Sequence, residues 1–350
     1  MHFLRSQLRS LAVPSTSYAG RTIIVTGANG GLGLEAARHF VRLGAARVIL
    51  ACRSTERGEA AKADIESSTT SAAVIEVWPL DLCSFDSVRA FCRRADKELD
   101  RLDVLLANAA LLSLDSTNMS EGYETQVTAN VISNFLMVLM LLPLMERTAV
   151  RWNVETNVTV VASVAHFFVS PHDHRPSLVC HLLTVPPSRQ TRFVQKDQPH
   201  IFESFRPGSA MEERYSTTKL LDILIVQELA ERLDAGSAGA SPVIVNTANP
   251  GLCKSSLFRD VFFIGRVLVA ALVFLLGRTG EEGSRALMVA AAGGRETRGK
   301  YVDSGMVDSP SPFVLSEEGK GVQKRVWGEL MAILEGIEPG VTLNVNQGPA

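Results

Sequence analysis

The sequence predicts an α/β protein built on a single doubly wound parallel sheet with helices on both faces. Short β-branched, apolar runs alternate with helical segments along the chain, and the first run leads directly into a glycine-rich turn. Hydrophobic residues make up 46% of the chain and charged residues 21%, so the chain can bury a full core. The formal net charge of −2 gives no electrostatic reason to expect a nucleic-acid partner.

The individual elements keep the strand–helix rhythm of such a sheet. Predicted strands lie at 22–26, 47–51, 74–78, 103–107, 156–162, 243–248 and 300–302. Predicted helices lie at 34–43, 55–67, 84–99, 120–146, 213–234, 256–276, 280–293 and 316–336. Pro143 should end or bend the last turn of the helix in which it lies, because proline lacks the N–H that helical bonding needs. No composition break divides the chain, which predicts one domain at 20–340 after an N-terminal extension at 1–19.

The N-terminal extension has two interpretations. Residues 1–19 contain Arg5, Arg9 and several serines but no acidic residue, a composition similar to that of a mitochondrial presequence. A short helix lying on the domain is favoured, because the segment is short and Pro14 interrupts it. The expected location is cytoplasmic, with mitochondrial or membrane-associated locations as alternatives.

Residues 261–276 form the most apolar run of the chain. The uninterrupted stretch after Arg266 is too short to span a bilayer of about 30 Å. A buried helix, or a cover over a hydrophobic ligand, is therefore favoured, and peripheral membrane contact is the alternative. The five cysteines include no C-x-x-C pair, so no disulfide framework or metal site is predicted and a reducing compartment is expected.

Residues 170–208 interrupt the regular pattern. They contain six prolines and four histidines and show no period, and a loop of this length in a compact domain needs a reason. It is a substrate-covering loop, a lineage-specific surface loop or translated intron sequence, and the last two together are favoured. Its histidines lack a supporting carboxylate pattern, so no metal site is predicted there.

A glycine-rich turn follows the first predicted strand. Residues 26–33 read TGANGGLG and lie between a strand and a helix, the context in which glycine spacing is informative. Gly27 permits a tight turn, Gly31 lets the backbone approach a pyrophosphate, and Gly33 lets the helix pack closely on the strand. The exposed N–H groups and the helix dipole would stabilise phosphate charge, although an ordinary glycine-rich turn is the alternative. The candidate phosphate-binding residues are Gly27, Asn29, Gly30, Gly31, Leu32 and Gly33.

Polar side chains follow the next three strands, at the edge where doubly wound sheets bind ligands. Arg53 stands where NAD sites tend to place an acid for the ribose 2′-hydroxyl, and a guanidinium suits a 2′-phosphate instead. This predicts NADP(H) rather than NAD(H) as the cofactor, with Arg53 capping a solvated turn as the alternative. Asp81 and Leu82 follow the third strand, where the carboxylate could accept from the adenine amino group and could also cap helix 84–99. Asn108 follows the fourth strand.

Four side chains form a candidate reacting centre. Tyr215 and Lys219 lie four residues apart on one predicted helix, which puts them on one face and one turn apart. An ordinary phenol pKa of about 10 makes a poor base, and a nearby ammonium lowers that pKa by stabilising the phenolate. Ser163, just past the fifth strand, would hydrogen-bond a substrate carbonyl or alkoxide, and Asn130 could hold a water between Lys219 and solvent. A surface helix pair is the alternative for Tyr-x-x-x-Lys, but its position after a strand-end serine favours catalysis.

Together these motifs resemble the short-chain dehydrogenase/reductase family over about residues 20–305. The resemblance implies a Rossmann-type fold in which Asn130, Ser163, Tyr215 and Lys219 are catalytic. It further implies that Lys219 and Tyr215 contact the cofactor, that Pro250 and Gly251 contact its nicotinamide side, and that a helix starting near Ser255 covers the substrate. Stretches such as GLGLEAARHF and NTANPGLCKSSL are similar to retinol-dehydrogenase-like and fungal secondary-metabolism members.

Three positions depart from the family pattern. Ala110 replaces a glycine that is usual after Asn108, and Ser255 stands where a threonine often contacts the cofactor amide. Ser163 and Tyr215 are 52 positions apart (215 − 163), farther than the family usually shows. Residues 170–208 supply the excess, of which PHIFESF alone looks family-like.

The resemblance implies an NADP(H)-dependent oxidoreductase that interconverts a carbonyl and an alcohol on a hydrophobic small molecule, in secondary-metabolite biosynthesis. Tyr215 would be the acid/base, Lys219 would lower its pKa, and Ser163 would orient the carbonyl. The alternative is a catalytically impaired NADP(H)-binding protein, because residues 170–208 separate Ser163 from Tyr215. Helices 120–146 and 213–234 resemble the dimer-forming faces of the family, so a homodimer is an expectation.

Overall fold

The computed structural model describes residues 6–112, 118–170, 191–205, 211–236, 241–254 and 276–345. Within them lies one sheet of eight strands: β1 (Thr22–Thr26), β2 (Arg47–Cys52), β3 (Val74–Pro79), β4 (Val104–Ala107), β5 (Thr156–Val161), β6 (Val243–Asn249), β7 (Tyr301–Asp303) and β8 (Met306–Asp308). The order across the sheet is β8-β7-β6-β5-β4-β1-β2-β3. All neighbours pair in parallel except β7 and β8, which form an antiparallel edge that was not predicted. The predicted doubly wound parallel sheet is confirmed.

Seven helices of ten or more residues flank this sheet in the described part of the chain: α1 (Gly31–Arg42), α2 (Thr55–Ser68), α3 (Phe85–Glu98), α4 (Ser133–Trp152), α5 (Met211–Asp234), α6 (Gly280–Ala291) and α7 (Glu317–Ile337). Side chains alternate along each strand, so β1 sends Ile23 and Val25 into one core and Ile24 into the other. The first core is covered by α1, α2 and α6, and the second by α3, α4, α5 and α7. Both faces are therefore closed, as the sequence predicts.

The prediction that Pro143 ends or bends the helix at about residue 146 is wrong in its boundary, because α4 continues to Trp152. A proline cannot donate to the carbonyl four residues earlier, which here belongs to Leu139. That carbonyl instead accepts a hydrogen bond of 3.0 Å from the Asn344 side chain. The lost helical bond is thus replaced by a residue near the C-terminus, which is why the helix tolerates the proline.

A π-helical turn, Thr128–Ile132, leads into α4 and contains Asn130. The continuous segment Thr125–Trp152 is long and apolar enough to cross a membrane, but 89% of its most apolar stretch is buried inside the protein. Its composition is therefore explained by its place in the core. The apolar run 261–276 and the predicted helix 256–276 lie outside the described residues, except at residue 276.

The second half of the irregular segment 170–208 packs against the protein core. Residues Thr191–Arg192 pair in parallel with Val169–Ser170, just after the fifth strand. Four aromatic and aliphatic side chains from this half are buried in the core beside α4, α5 and α7: Phe193, Ile201, Phe202 and Phe205. The backbone of Ile201 donates to Glu329 on α7 at 2.6 Å. Residues 171–190 and 206–210 lie outside the described part.

Candidate active site

The glycine-rich turn between β1 and α1 has the shape that a pyrophosphate needs. Gly27 and Gly31 have positive φ angles of 65° and 56°, which side chains rarely adopt. A Cβ at Gly33 would lie 2.5 Å from the Gly27 carbonyl oxygen and 2.6 Å from the Asn108 amide nitrogen, so only glycine fits there. Gly30 and Gly31 are exposed at the helix N-terminus, Asn29 is half-buried beside them, and Leu32 packs inward towards α6. The turn therefore fits a dinucleotide phosphate group.

A cavity of about 180 Å³ adjoins this turn, where an adenosine would lie. Its lining residues include Gly27, Asn29, Arg53, Arg57, Asp81, Leu82, Ala109 and Ala110. Arg53 and Arg57 are exposed at its mouth, and in the described part of the chain neither guanidinium makes a hydrogen bond or ion pair. Two uncommitted guanidinium groups at this position can bind an added phosphate.

Asp81 and Asn108 occupy the predicted sheet edge, but their local contacts differ from a helix cap. The helix α3 is capped by Ser84, whose hydroxyl accepts from the Ser87 backbone, so the prediction that Asp81 caps it is wrong. The Asp81 carboxylate instead accepts from the backbone of Cys83 at 2.9 Å, which turns the chain back towards the cavity. Asn108 donates to the Thr26 carbonyl at 2.8 Å and thereby ties the end of β4 to the end of β1.

Ser163 and Tyr215 lie within hydrogen-bonding reach of each other, although they are far apart in sequence. Ser163 directly follows the sheet strand β5 and Ala162, and its hydroxyl accepts from the Ala165 backbone at 3.1 Å while capping a short 3-10 turn. Tyr215 lies on the first turns of α5, which packs against that 3-10 turn. The two hydroxyl groups therefore lie together in the fold, although 52 positions separate the two residues in sequence.

Lys219 is buried one helical turn after Tyr215. Its ammonium nitrogen lies 5.7 Å from the centre of the Tyr215 ring. The same nitrogen donates to the Val161 carbonyl at 2.7 Å and to the Asp222 carboxylate at 2.9 Å. The side chains of Lys219 and Asp222 are 2% and 0% exposed, so this ion pair is shielded from water.

The pKa of Tyr215 lies above its ordinary value in this structure, although Lys219 lowers it in the predicted direction. Burial of the phenol is the largest cause of the increase, and the Asp222 carboxylate adds to it. The Lys219 ammonium and the Ser163 hydroxyl act in the opposite direction but do not outweigh burial. The phenol is consequently held protonated at neutral pH, which is the form that can donate a proton.

Asn130 has a positioning role in the structure. Its amide oxygen accepts from the Leu111 backbone at 2.7 Å, and its amide nitrogen donates to the Leu111 carbonyl at 2.9 Å and to the Thr218 hydroxyl at 3.2 Å. The side chain therefore joins the loop after β4 to the residue preceding Lys219. The proton relay through a water at Asn130 stays a prediction.

Arg278 joins the Pro250–Gly251 turn to the N-terminal segment. Arg278 donates to the Pro250 carbonyl at 2.8 Å and also to the carbonyls of Ser6, Gln7 and Arg9. Gly251 has a φ of 79°, and a Cβ there would lie 2.7 Å from both the Arg278 and Gln7 side chains. The turn is thus fixed on one side by Arg278 and Gln7. Ser255, predicted to contact the cofactor, lies outside the described residues.

His166 supports Ser163 from within the protein. Its Nδ1 lies 2.7 Å from the Ser163 carbonyl oxygen, and its Nε2 accepts from the Ser311 backbone at 3.1 Å, which assigns the proton to Nδ1. The imidazole is fully buried beside the Phe167 and Tyr301 rings. Burial lowers the pKa of His166 to about 4. The neutral ring therefore connects the backbone of Ser163 to the C-terminal region.

We expect the protein to lose stability as the pH falls from about 6.5 towards 4, in part because of His166. The unfolded chain takes up this proton first, at a pKa of about 6.5, whereas the folded protein holds the pKa near 4. The difference amounts to about 3 kcal/mol once both states are protonated. Urea unfolding at about pH 7 and about pH 5 checks this. The wild type should lose more stability than the His166→Phe variant, and equal losses would contradict it.

Several contributing residues were given no role from the sequence, namely Gln7, His166, Asp222, Asn249 and Arg278. Asn249 accepts from the Val164 backbone and from the Gly251 backbone, both at 3.2 Å, and so links the two loops that border the site. Of the five, Asp222 could most readily have been found from the sequence, because an acidic residue three positions after Lys219 on an apolar helix face indicates an ion pair. The others depend on contacts between segments distant in the chain, for which the sequence carries no local signal.

The glycine-rich turn, the adenosine cavity and the Ser163–Tyr215–Lys219 set lie along one edge of a parallel sheet. An edge that offers a phosphate turn and a half-buried phenol as the acid is suited to a dinucleotide and to proton exchange, so the fold and site define a dinucleotide-dependent oxidoreductase.

The chain is similar along nearly its whole length to short chain dehydrogenases of fungi. It is 40% identical over 352 residues to the short chain dehydrogenase/reductase dmxR8 of Cryptosporiopsis sp. (strain 8999), covering 98% of this chain and 100% of that protein. It is 36% identical to the short-chain dehydrogenase anuD of Penicillium roqueforti (strain FM164), covering 100% of this chain and 87% of that protein. The family profile described as short chain dehydrogenase matches residues 21–172. The chain belongs to the short-chain dehydrogenase/reductase family, oxidoreductases that bind NAD(P)(H), and its relatives agree with the predicted fungal type.

Solved structures confirm the fold. The Pseudomonas aeruginosa RhlG/NADP active-site complex superposes with a TM-score of 0.57 at 22% identity, covering 82% of this chain and 95% of that one. The 3-ketoacyl-(acyl-carrier-protein) reductase of Brucella melitensis complexed with NADH has a TM-score of 0.56 at 19% identity, covering 82% and 97%. Both phosphorylated and unphosphorylated dinucleotides thus occur on this fold.

Proposed function

We propose that the protein is an NADP(H)-dependent reductase that converts a carbonyl of a hydrophobic small molecule to an alcohol. The observation that supports this most strongly is the contact of the half-buried Ser163 and Tyr215 beside Lys219, at the edge of the sheet that holds the phosphate turn. This contact argues against the alternative of an impaired protein, in which residues 170–208 would keep Ser163 away from Tyr215. The pKa of Tyr215 above its ordinary value keeps the phenol protonated at neutral pH, which is the form that donates a proton in the reductive direction.

The chain supplies binding and proton transfer, and NADPH when bound would supply the hydride. Ser163 orients the carbonyl oxygen, and Tyr215 donates its proton to that oxygen as it becomes an alkoxide. The Lys219 ammonium stabilises the phenolate that remains on Tyr215. The Pro250–Gly251 turn borders the nicotinamide side of the site, as the family resemblance implies. A panel of apolar ketones and aldehydes, followed by NADPH oxidation, tests the assignment; no cofactor-dependent turnover with any of them would refute it.

We propose that Arg53 and Arg57 give the protein its preference for NADPH over NADH. We expect Arg53→Ala to weaken NADPH binding by about 10- to 100-fold, because one charge-assisted contact with the 2′-phosphate is lost. NADH binding should change by no more than about twofold, since NADH lacks that phosphate. Titration of both dinucleotides with the purified variant measures the difference. Arg42→Ala, which removes an exposed arginine at the far end of α1, is the matched control. Equal weakening of NADPH and NADH in Arg53→Ala would contradict the preference.

A further inference from the structure

The buried carboxylate of Asp222 is a feature that the proposed chemistry does not use. Asp222 is 0% exposed, and Oδ2 lies 2.9 Å from the ammonium of Lys219. Its other oxygen, Oδ1, has no hydrogen-bond partner among the residues that the structure describes. A buried carboxylate with one unsatisfied oxygen costs stability, so its presence next to a catalytic lysine calls for an explanation.

Three ionisable side chains lie in a row in space. The Lys219 ammonium lies between the Asp222 carboxylate and the Tyr215 ring, 2.9 Å from the carboxylate oxygen and 5.7 Å from the ring centre. The Val161 carbonyl, 2.7 Å away, fixes the ammonium in this position. The nearest charge to Lys219 is thus negative, and the Asp222 carboxylate offsets part of the positive charge that Lys219 exerts on Tyr215.

In the described part of the chain, no charged group outside this trio shifts the pKa of Lys219 or Asp222, and the buried Arg214 beside Tyr215 is paired with Glu124. The strand β6, the π-helical turn and the 3-10 turn all pack against α5. The first two contain no charged residue in their sequences, and His166 on the third is neutral. On α7, the Lys320 ammonium contacts Glu231 and the uncharged Gln323 contacts Glu228, both more than one turn beyond Asp222. Lys219 is the sole charged neighbour identified as acting on the Asp222 carboxyl.

We propose that Asp222 is a positioning residue that holds the Lys219 ammonium and offsets its positive charge, so that Tyr215 stays a proton donor. This inference rests on the proposed function only in so far as Tyr215 is the acid. Burial raises the pKa of Asp222 to about 6, so at neutral pH the carboxylate is ionised and the offset operates. In more acidic solution Asp222 takes up a proton, and the full charge of Lys219 then acts on the phenol.

The test is a tyrosinate absorbance titration, which needs neither substrate nor turnover. The signal of Tyr215 is obtained as the difference between protein with Tyr215 and the same protein carrying Tyr215→Phe. We expect Asp222→Asn to move the Tyr215 ionisation to lower pH by about one unit, because an opposing charge has been removed from its neighbour. The control is Glu228→Gln, which removes a buried carboxylate from the same helix and should leave the ionisation unmoved.

An unchanged ionisation, or a shift to higher pH, in Asp222→Asn would overturn the proposal. If Asp222→Asn does not fold, Lys219→Gln and the Lys219→Gln/Asp222→Asn double variant replace it, since the double variant buries no charge at this site. Tyr215 should then ionise at lower pH in the double variant than in Lys219→Gln alone, and equal values would refute the proposal. Turnover by the Tyr215→Phe variant would refute the proposed function instead, so the two failures are distinguishable.

Discussion

Replacing Tyr215 with phenylalanine should leave a folded protein that binds NADPH and has lost about 10²- to 10⁴-fold of its rate of carbonyl reduction. The phenylalanine ring keeps the packing of α5 against the 3-10 turn and removes only the hydroxyl that meets Ser163. Without it no group at that position can protonate the developing alkoxide. Binding depends on the phosphate turn and the adenosine cavity, which lie elsewhere along the sheet edge and should be unaffected.

Single-turnover reduction of a reactive apolar carbonyl by bound NADPH measures this loss, and titration of NADPH measures binding separately. The matched control is Tyr123→Phe, which removes a half-buried phenol in the antiparallel pair Met119–Ser120 and Tyr123–Glu124, outside the Ser163 contact. It should keep most of the wild-type rate. If Tyr215→Phe retained more than about a tenth of the wild-type rate, Tyr215 could not be the principal acid.

The sheet could be predicted because the composition of each strand by itself indicates a buried β-strand. The run Thr22–Thr26 is β-branched, uncharged and followed by glycines, and it forms a fully buried strand as predicted. The end of α4 could not be predicted, because the residue that compensates for Pro143 is Asn344, which donates to a carbonyl 205 positions away in sequence. The edge strand β8 is only three residues long and half-exposed, which leaves little pattern to detect.

In the site, too, features set by local spacing could be predicted, and features set by contacts between distant segments could not. The four-residue spacing of Tyr215 and Lys219 follows from helix geometry, and the structure places them accordingly. The approach of Ser163 to Tyr215 depends on how the residues between them pack, including the burial of Phe193 and Phe202, and sequence could not supply that. The direction of the Tyr215 pKa was also beyond the sequence, because it depends on the balance of burial against two opposite charges.

Replacing Arg278 with methionine should lower the free energy of unfolding by roughly 3 kcal/mol or more, because several buried carbonyls lose their donor at once. Arg278 is 6% exposed and donates to Pro250, Ser304 and three carbonyls of the N-terminal segment. Methionine can fill part of the space left by the arginine stem but donates to none of these oxygens. Urea unfolding measures the loss, and Arg295→Met, at an exposed arginine paired with Glu155, should change stability by less than about 0.5 kcal/mol.

The same substitution should also weaken NADPH binding, since it frees the turn that borders the nicotinamide side. Arg278 and Gln7 hold Pro250–Gly251 together: Gln7 accepts from the Leu252 backbone at 2.8 Å and donates to the carbonyls of Leu252 and Leu276. Gln7→Ala removes these bonds at less cost to the core, so it separates positioning of the turn from stability. We expect about tenfold weaker NADPH binding in the folded Gln7→Ala protein, equivalent to about 1.4 kcal/mol. Unchanged binding would mean that the N-terminal segment contributes stability alone and that the turn keeps its shape without it.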